Sequence, residues 1–260
     1  MPASTTVRGI VLSAMPVGEY DKRLVILTLE YGRITAFAKG ARKPNSALLA
    51  CSSPLAFGEF TLYVGRRSYS VISADIKNYF SELRGDFEGF CYAMYFCEIC
   101  DYMSKENNDE KDILKLLYQT LRALTKKTIE FPLIKVVFEL KMMTYNGMAP
   151  QVFHCVKCEN NSYQKASEFA SASGLSSPIY FSTKSGGILC SGCRINDKSS
   201  IRINTSTLYT MQYIISREIE KLYTFKVTSQ VLNELEICMK HYLQCYIDHE
   251  FKSAEMLKTL

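Results

Sequence analysis

Histidine is scarce in this chain: three in 260 residues, at positions 154, 241 and 249. A Ser-His-Asp relay needs a positioned imidazole. His154 sits beside a cysteine pair, and His241 and His249 share one apolar-periodic stretch, so no triad can be assembled. With Cys245 four residues from each, His241 and His249 have a spacing that could hold a metal, but ordinary helix positions are the preferred reading. No G-x-x-x-x-G-K-[ST] segment is present to cradle phosphates, which argues against an NTP-driven motor, and no G-x-G-x-x-G segment to take a dinucleotide. Glu19 and Asp21 are neighbouring acids without further metal-ligand partners, so a two-metal nuclease site is not visible. No apolar run approaches the length of a membrane span, and residues 1–6 lack the charged start and apolar centre of an export signal. These absences predict a cytoplasmic chain with no membrane partner and no catalytic residues.

Cysteine, by contrast, is plentiful, and its spacing is informative. Cys155-Val156-Lys157-Cys158 and Cys190-Ser191-Gly192-Cys193 are two C-x-x-C pairs separated by 31 residues. One such pair places two thiolates on a tight turn, and two pairs complete a tetrahedron for one structural Zn2+ with no open position. The long separation predicts an extended hairpin or an excursion between the knuckles, and Gly192, Asn160 and Asn161 are turn-formers near them. Four buried thiols, or two local disulfides, are the alternatives. A reducing cytoplasm disfavours disulfides. The adjacent His154 is a possible substitute ligand, though two complete pairs leave it no vacancy. Cys51, Cys91, Cys97, Cys100, Cys238 and Cys245 read mostly as small hydrophobes on helical faces, including the third C-x-x-C at Cys97 and Cys100.

Charge is unevenly placed. Residues 1–80 carry ten basic and five acidic side chains, whereas the remainder carries 21 of each, so the whole net charge of +5 belongs to the first third. Such asymmetry points to a polyanionic partner. The same third reads as β: Val7–Leu12, Leu24–Leu29, Ile34–Ala38, Leu55–Val64 and Tyr69–Ala74 are strand candidates, with Gly32 in a turn and Gly58 at a possible bulge. Five short strands suit a small barrel, and the OB-fold is the first choice. Beyond residue 80 the period becomes helical. Asp86 can cap one helix, Asn107–Glu110 can start another, and Pro132–Tyr145 forms a third, stopped by Asn146-Gly147. Thr205 or Ser206 can cap a helix running to about Tyr223, and Thr228 or Ser229 one running to about His249.

The basic residues Lys22, Arg23, Arg33, Lys39, Arg42, Lys43, Arg66 and Arg67 fall in loops or at strand ends, where they would grip phosphates without reading sequence. Tyr20, Tyr31, Phe37, Phe57, Phe60, Tyr63 and Tyr69 are interleaved with them. Tyr20 and Tyr31 are the aromatics expected at the surface, where they could offer stacking faces.

Gly18-Glu19-Tyr20-Asp21-Lys22, Val25-Ile26-Leu27-Thr28, Glu30-Tyr31-Gly32-Arg33 and Ala38-Lys39-Gly40-Ala41-Arg42, followed by the double C-x-x-C and by Tyr242-Leu243 and Phe251-Lys252-Ser253, resemble the RecO family of bacterial recombinational repair proteins. The resemblance covers essentially the whole chain. It implies an N-terminal five-stranded OB-fold barrel followed by an α-helical domain with an inserted four-cysteine zinc finger. It also implies binding of single- and double-stranded DNA, annealing of complementary strands, and help in loading RecA in the RecF pathway. RecR, RecF, RecA and single-strand binding protein would be partners, and the protein would sit in the cytoplasm with the nucleoid. The expected boundaries are 1–80 for the nucleic-acid-binding barrel, 81–149 for the first part of the helical domain, 150–200 for the zinc insertion and 201–260 for the second helical part. An RNA-binding module of the same construction is the alternative reading.

Overall fold

The computed structural model describes residues 4–66, 68–159 and 178–259. Five strands open the chain: β1 (Ser4–Val17), β2 (Asp21–Thr28), β3 (Gly32–Ala38), β4 (Phe57–Val64) and β5 (Tyr69–Asn78). They close into a barrel of order β1-β2-β3-β5-β4, in which only β3 and β5 run parallel. This is the five-stranded OB arrangement expected from the sequence. Closure depends on β1, which runs past its buried apolar stretch at both ends because pairing with β4 and β2 defines its limits. Its first half pairs with β4 (Ser4 opposite Tyr63), its second with β2 (Val17 opposite Asp21), and a bulge between Val11 and Ser13 bends it from one partner to the other. The β4–β5 register also shifts at Gly58, where a Cβ would overlap the Asp75 carbonyl.

Val7, Val11, Leu24, Ile26, Ile34, Ala36, Phe60, Leu62 and Val71 fill the barrel. Val25 and Leu27, on the opposite face of β2, are also buried, because α2 (Phe87–Met103) and α3 (Lys111–Lys126) pack on that strand. A strand covered on both faces reads as a continuous apolar run, as Leu24–Leu29 does. The short α1 (Ser81–Arg84) leads into α2, whose N-cap is Asp86 as predicted: its Oδ1 accepts the Gly89 N–H at 3.2 Å. Gly32 holds φ +63° in the β2–β3 turn, and a Cβ there would collide with the Lys105 carbonyl. Only glycine lets this turn dock on the segment after α2. Cys97 and Cys100 are buried within α2, and burial pushes the Cys97 thiol up to about 12 and Cys100 well above the usual range, consistent with inert core thiols.

The chain separates into two units, Met1–Lys127 with Glu250–Leu260, and Thr128–His249. The second contains α4 (Phe131–Tyr145), a three-stranded antiparallel sheet of order β7-β6-β8 built from β6 (Ile179–Ser182), β7 (Gly187–Cys190) and β8 (Ile201–Ile203), then α5 (Thr205–Ser216) and α6 (Ser229–Tyr246). Pro132 lies in the first turn of α4, and Gly147 (φ +72°) follows its end. The cap of α5 is Asn204, not Thr205 or Ser206: its Oδ1 accepts the Thr207 N–H at 2.7 Å, and Glu234 of α6 accepts from the Asn204 N–H at 2.8 Å. This helix stops at Ser216, short of the predicted Tyr223. Lys141, 4% exposed on α4, donates to the carbonyls of Ile214 (3.2 Å), Ile215 (2.9 Å) and Arg217 (2.6 Å), so a buried ammonium closes the helix C-terminus. Thr228 caps α6, which ends at Tyr246 rather than His249.

The last residues belong to the first unit. Phe251 meets the rings of Tyr95 and Tyr102 edge-on at 5.9 and 5.8 Å. Glu98 of α2 accepts the N–H groups of Lys252 (3.0 Å) and Ser253 (2.9 Å) and the Ser253 hydroxyl, seating α7 (Lys252–Leu257) on α2. Among the described residues no helix is long and apolar enough to cross a membrane.

Candidate metal centre and nucleic-acid interface

The two cysteine pairs converge. The sulfurs of Cys155, Cys158, Cys190 and Cys193 all lie within 4.8 Å of one another. The first knuckle is held by Val156 N–H to the Ile188 carbonyl (3.0 Å), and it closes through Glu159, at φ +55°, whose N–H reaches the Cys155 carbonyl at 2.9 Å. The second hangs from the β6–β7 hairpin and continues into a 3-10 turn at Cys193–Asn196. Gly192 there has an ordinary right-handed φ of −69°. Asn160, Asn161 and Ser171–Ser177 lie outside the described residues.

None of the ten cysteines, each among the described residues, is in a disulfide. Cys158 and Cys190 approach to 3.8 Å between sulfurs, far beyond the about 2.05 Å of a disulfide. A tetrahedron with metal–sulfur bonds of about 2.3 Å has edges of about 3.8 Å, so the spacing suits one tetrahedral cation. The electrostatics point the same way. Burial opposes ionisation of Cys155, yet the N–H groups of Cys190, Cys158 and Lys157 and the Cys158 thiol outweigh it and bring the pKa from 9.0 to about 6. Cys193 is pushed up to about 12, first by its hydrogen bonds to Cys190 and Cys158 and then by burial. Four sulfurs this close lose all their protons only when a cation offsets the charge. His154, His241 and His249 join no such group; among the described residues the four cysteines are the one cluster of this kind.

Sequence reading missed what braces the second knuckle. Asp197 accepts from Ser199 Oγ (2.6 Å), Ser199 N–H (3.1 Å) and the hydroxyl of buried Ser182, tying the turn after Cys193 back to β6. Its available signal is the Asp197-Lys198-Ser199 turn.

Several basic residues of the barrel, Lys22, Arg23, Lys39, Arg42, Lys43 and Arg66, fall at one end of it, whereas Arg33 lies at the other, beside the β2–β3 turn. The end of β3 pairs with the start of β2 on one side (Ala38 opposite Lys22) and with the start of β5 on the other (Phe37 opposite Ser70). The turn after Val17, the loop after Ala38 and the ends of β4 and β5 at Val64 and Tyr69 therefore lie at one end of the barrel. Two separate sequence stretches lock together there. Asp21 Oδ1 accepts the Gly40 N–H at 2.7 Å, and the Arg42 N–H reaches the Tyr20 carbonyl at 2.9 Å. The Arg42 guanidinium donates to the carbonyls of Gly18 (3.3 Å) and Glu19 (3.1 Å), and Lys43 Nζ stands 5.4 Å from the Tyr20 ring centroid. Asp21 thus braces the rim.

Individual positions differ in what they can offer. Arg23, Lys39, Arg42, Lys43 and Arg66 are exposed. Lys22 is half-buried, donates to the Ser52 carbonyl at 3.0 Å, and has its pKa lowered by burial. Arg33 is committed elsewhere, to Asp101 at 3.2 Å and the Ser104 carbonyl at 3.2 Å. Arg67 lies outside the described residues. Away from the rim the barrel neutralises itself: Arg8 pairs with Glu59 at 2.8 Å and Lys77 with Asp75. Of the two aromatics expected at the surface, Tyr20 is exposed. Tyr31 is half-buried, stacked on Tyr69 at 6.2 Å. Phe60 is core, and Phe57 packs on Tyr118 at 4.5 Å.

Residues 1–80 match a family model described as recombination protein O N terminal, and residues 84–255 one described as recombination protein O C terminal. A protein named DNA repair protein RecO from Alkaliphilus metalliredigens is 34% identical over 253 residues, which span 97% of this chain and 98% of that one. The protein of the same name from Acetivibrio thermocellus is 32% identical over 97% of this chain and 95% of its own length. That from Dehalococcoides mccartyi is 28% identical over 100% and 97%. With a five-stranded barrel, a helical body and a four-cysteine cluster now joined to matches along nearly its whole length, the chain belongs to the RecO family, and its role lies in DNA repair.

Proposed function

We propose that this chain is a non-enzymatic mediator of recombinational repair that binds single- and double-stranded DNA through the rim of its barrel, anneals complementary strands and, with RecR, assists the loading of RecA. The observation that carries this reading is the locking of residues 18–22 and 38–43 into one basic surface. Lys39, Lys43, Arg23 and Arg66 supply phosphate contacts, Arg42 both contacts phosphate and holds the turn, and Lys22 chiefly supports the loop. Such contacts release counterions and are indifferent to sequence. Annealing needs no more than this: charge neutralisation lets two polyanions meet. RecF and single-strand binding protein are further proposed partners, and the cytoplasmic nucleoid the proposed location. The four cysteines hold one Zn2+, which supplies no reactivity and ties the two knuckles into a folded module.

The test is annealing of two labelled complementary oligonucleotides by the purified protein, without nucleotide, across a salt series. Acceleration that fades as salt rises is the expected result. Absence of acceleration with binding retained would reduce the chain to a binding module and overturn the mediator reading.

A further inference from the structure

The rim is not uniformly polar. Tyr20 at the tip of the β1–β2 turn is 44% exposed, and Met15 and Val17 at the end of β1 are 54% and 40% exposed. Met15 stands opposite Arg23, whose guanidinium reaches its sulfur at 3.3 Å, and Pro16 stands opposite Lys22, so this apolar surface adjoins the basic side chains of β2. Phosphates of a duplex ask only for cations. Exposed rings and aliphatics ask for something flat and apolar, and in DNA that is a base released from its stack.

Tyr20 is held for such a contact. Its carbonyl takes the Arg42 N–H at 2.9 Å, and the preceding carbonyls of Gly18 and Glu19 take the Arg42 guanidinium, so the turn that carries the ring is anchored. Lys43 stands at 5.4 Å from the ring centroid, within cation–π range. A ring placed among phosphate-binding cations can stack with a base whose own phosphate those cations hold. Resting on the DNA-binding reading above, we infer that Tyr20 is a base-stacking residue, supported by Lys43 and Arg42, through which the rim prefers single-stranded DNA over duplex. Tyr31, the other candidate, is already stacked on Tyr69.

The chain contains no tryptophan, so Tyr20→Trp places a single indole reporter at this position. The expected result is that oligo-dT quenches its emission strongly while a duplex of equal charge, also bound, does not. In parallel, Tyr20→Ala should weaken oligo-dT binding about tenfold and leave duplex binding within about twofold, and Tyr20→Phe should restore the wild-type value. Equal affinity of Tyr20→Ala for oligo-dT, or equal quenching by both ligands, would overturn the stacking role while leaving phosphate binding intact. Wild-type protein that binds neither ligand would instead overturn the DNA-binding reading itself and this inference with it.

Discussion

Single residues in this fold often do two jobs at once, and Asp86 shows how the jobs separate. Its Oδ1 caps α2, and its Oδ2 meets Lys127 at 2.8 Å, at the end of α3. The Lys127 ammonium, then the N–H groups of Gly89 and Glu88, outweigh burial and hold the carboxyl below its ordinary 3.8. Because Lys127 is largely exposed, the ion pair adds little and the cap dominates. Asp86→Ala should cost the first unit about 1 kcal/mol. A depressed carboxylate contributes stability above its unfolded pKa and loses it as pH falls through the folded value. The difference between wild type and variant should therefore be constant near neutrality and shrink below about pH 4, as read from urea midpoints against pH. Asp86 was legible from sequence because capping is local: polar residue, then helical period. Arg33 was not. Its charge looks available to phosphate until Asp101, 68 residues on, is brought beside it.

At the scale of elements the same distinction holds. The four-cysteine cluster was legible because two C-x-x-C turns carry most of its geometry within themselves. The strands of the barrel were legible where apolar residues alternate or run together, but β1 extends past its apolar stretch because pairing with β4 and β2, not burial, defines its ends. The stop of α5 was not legible at all, since the ammonium that closes it belongs to Lys141, 73 residues before Ile214. For the knuckles the prediction is direct. Metal analysis of the wild-type protein should find about one zinc per chain, and Cys155→Ser should lose it and lower the melting of residues 128–249, because metal binding here is folding energy. Metal-free wild type, with a variant that melts unchanged, would remove the zinc assignment.

For the molecule as a whole, net charge told where to look but not what the surface is. The positive excess of the first 80 residues is sharpened by folding: Glu59 and Asp75 are spent on Arg8 and Lys77 away from the rim, and Asp21 is turned to bracing the loop after β3. What is left is a single basic edge, the surface proposed to bind DNA. Arg42 makes a poor probe, because its guanidinium holds the turn. Arg23, Lys39 and Lys43 are the better set. The decisive measurement is the affinity of the Arg23→Glu/Lys39→Glu/Lys43→Glu variant for single-stranded DNA over a salt series, with its melting checked against wild type. Near loss of binding is expected and, where binding is still measurable, a dependence on log salt shallower by about two to three. A folded variant with wild-type affinity and an unchanged salt slope would contradict DNA binding through this edge.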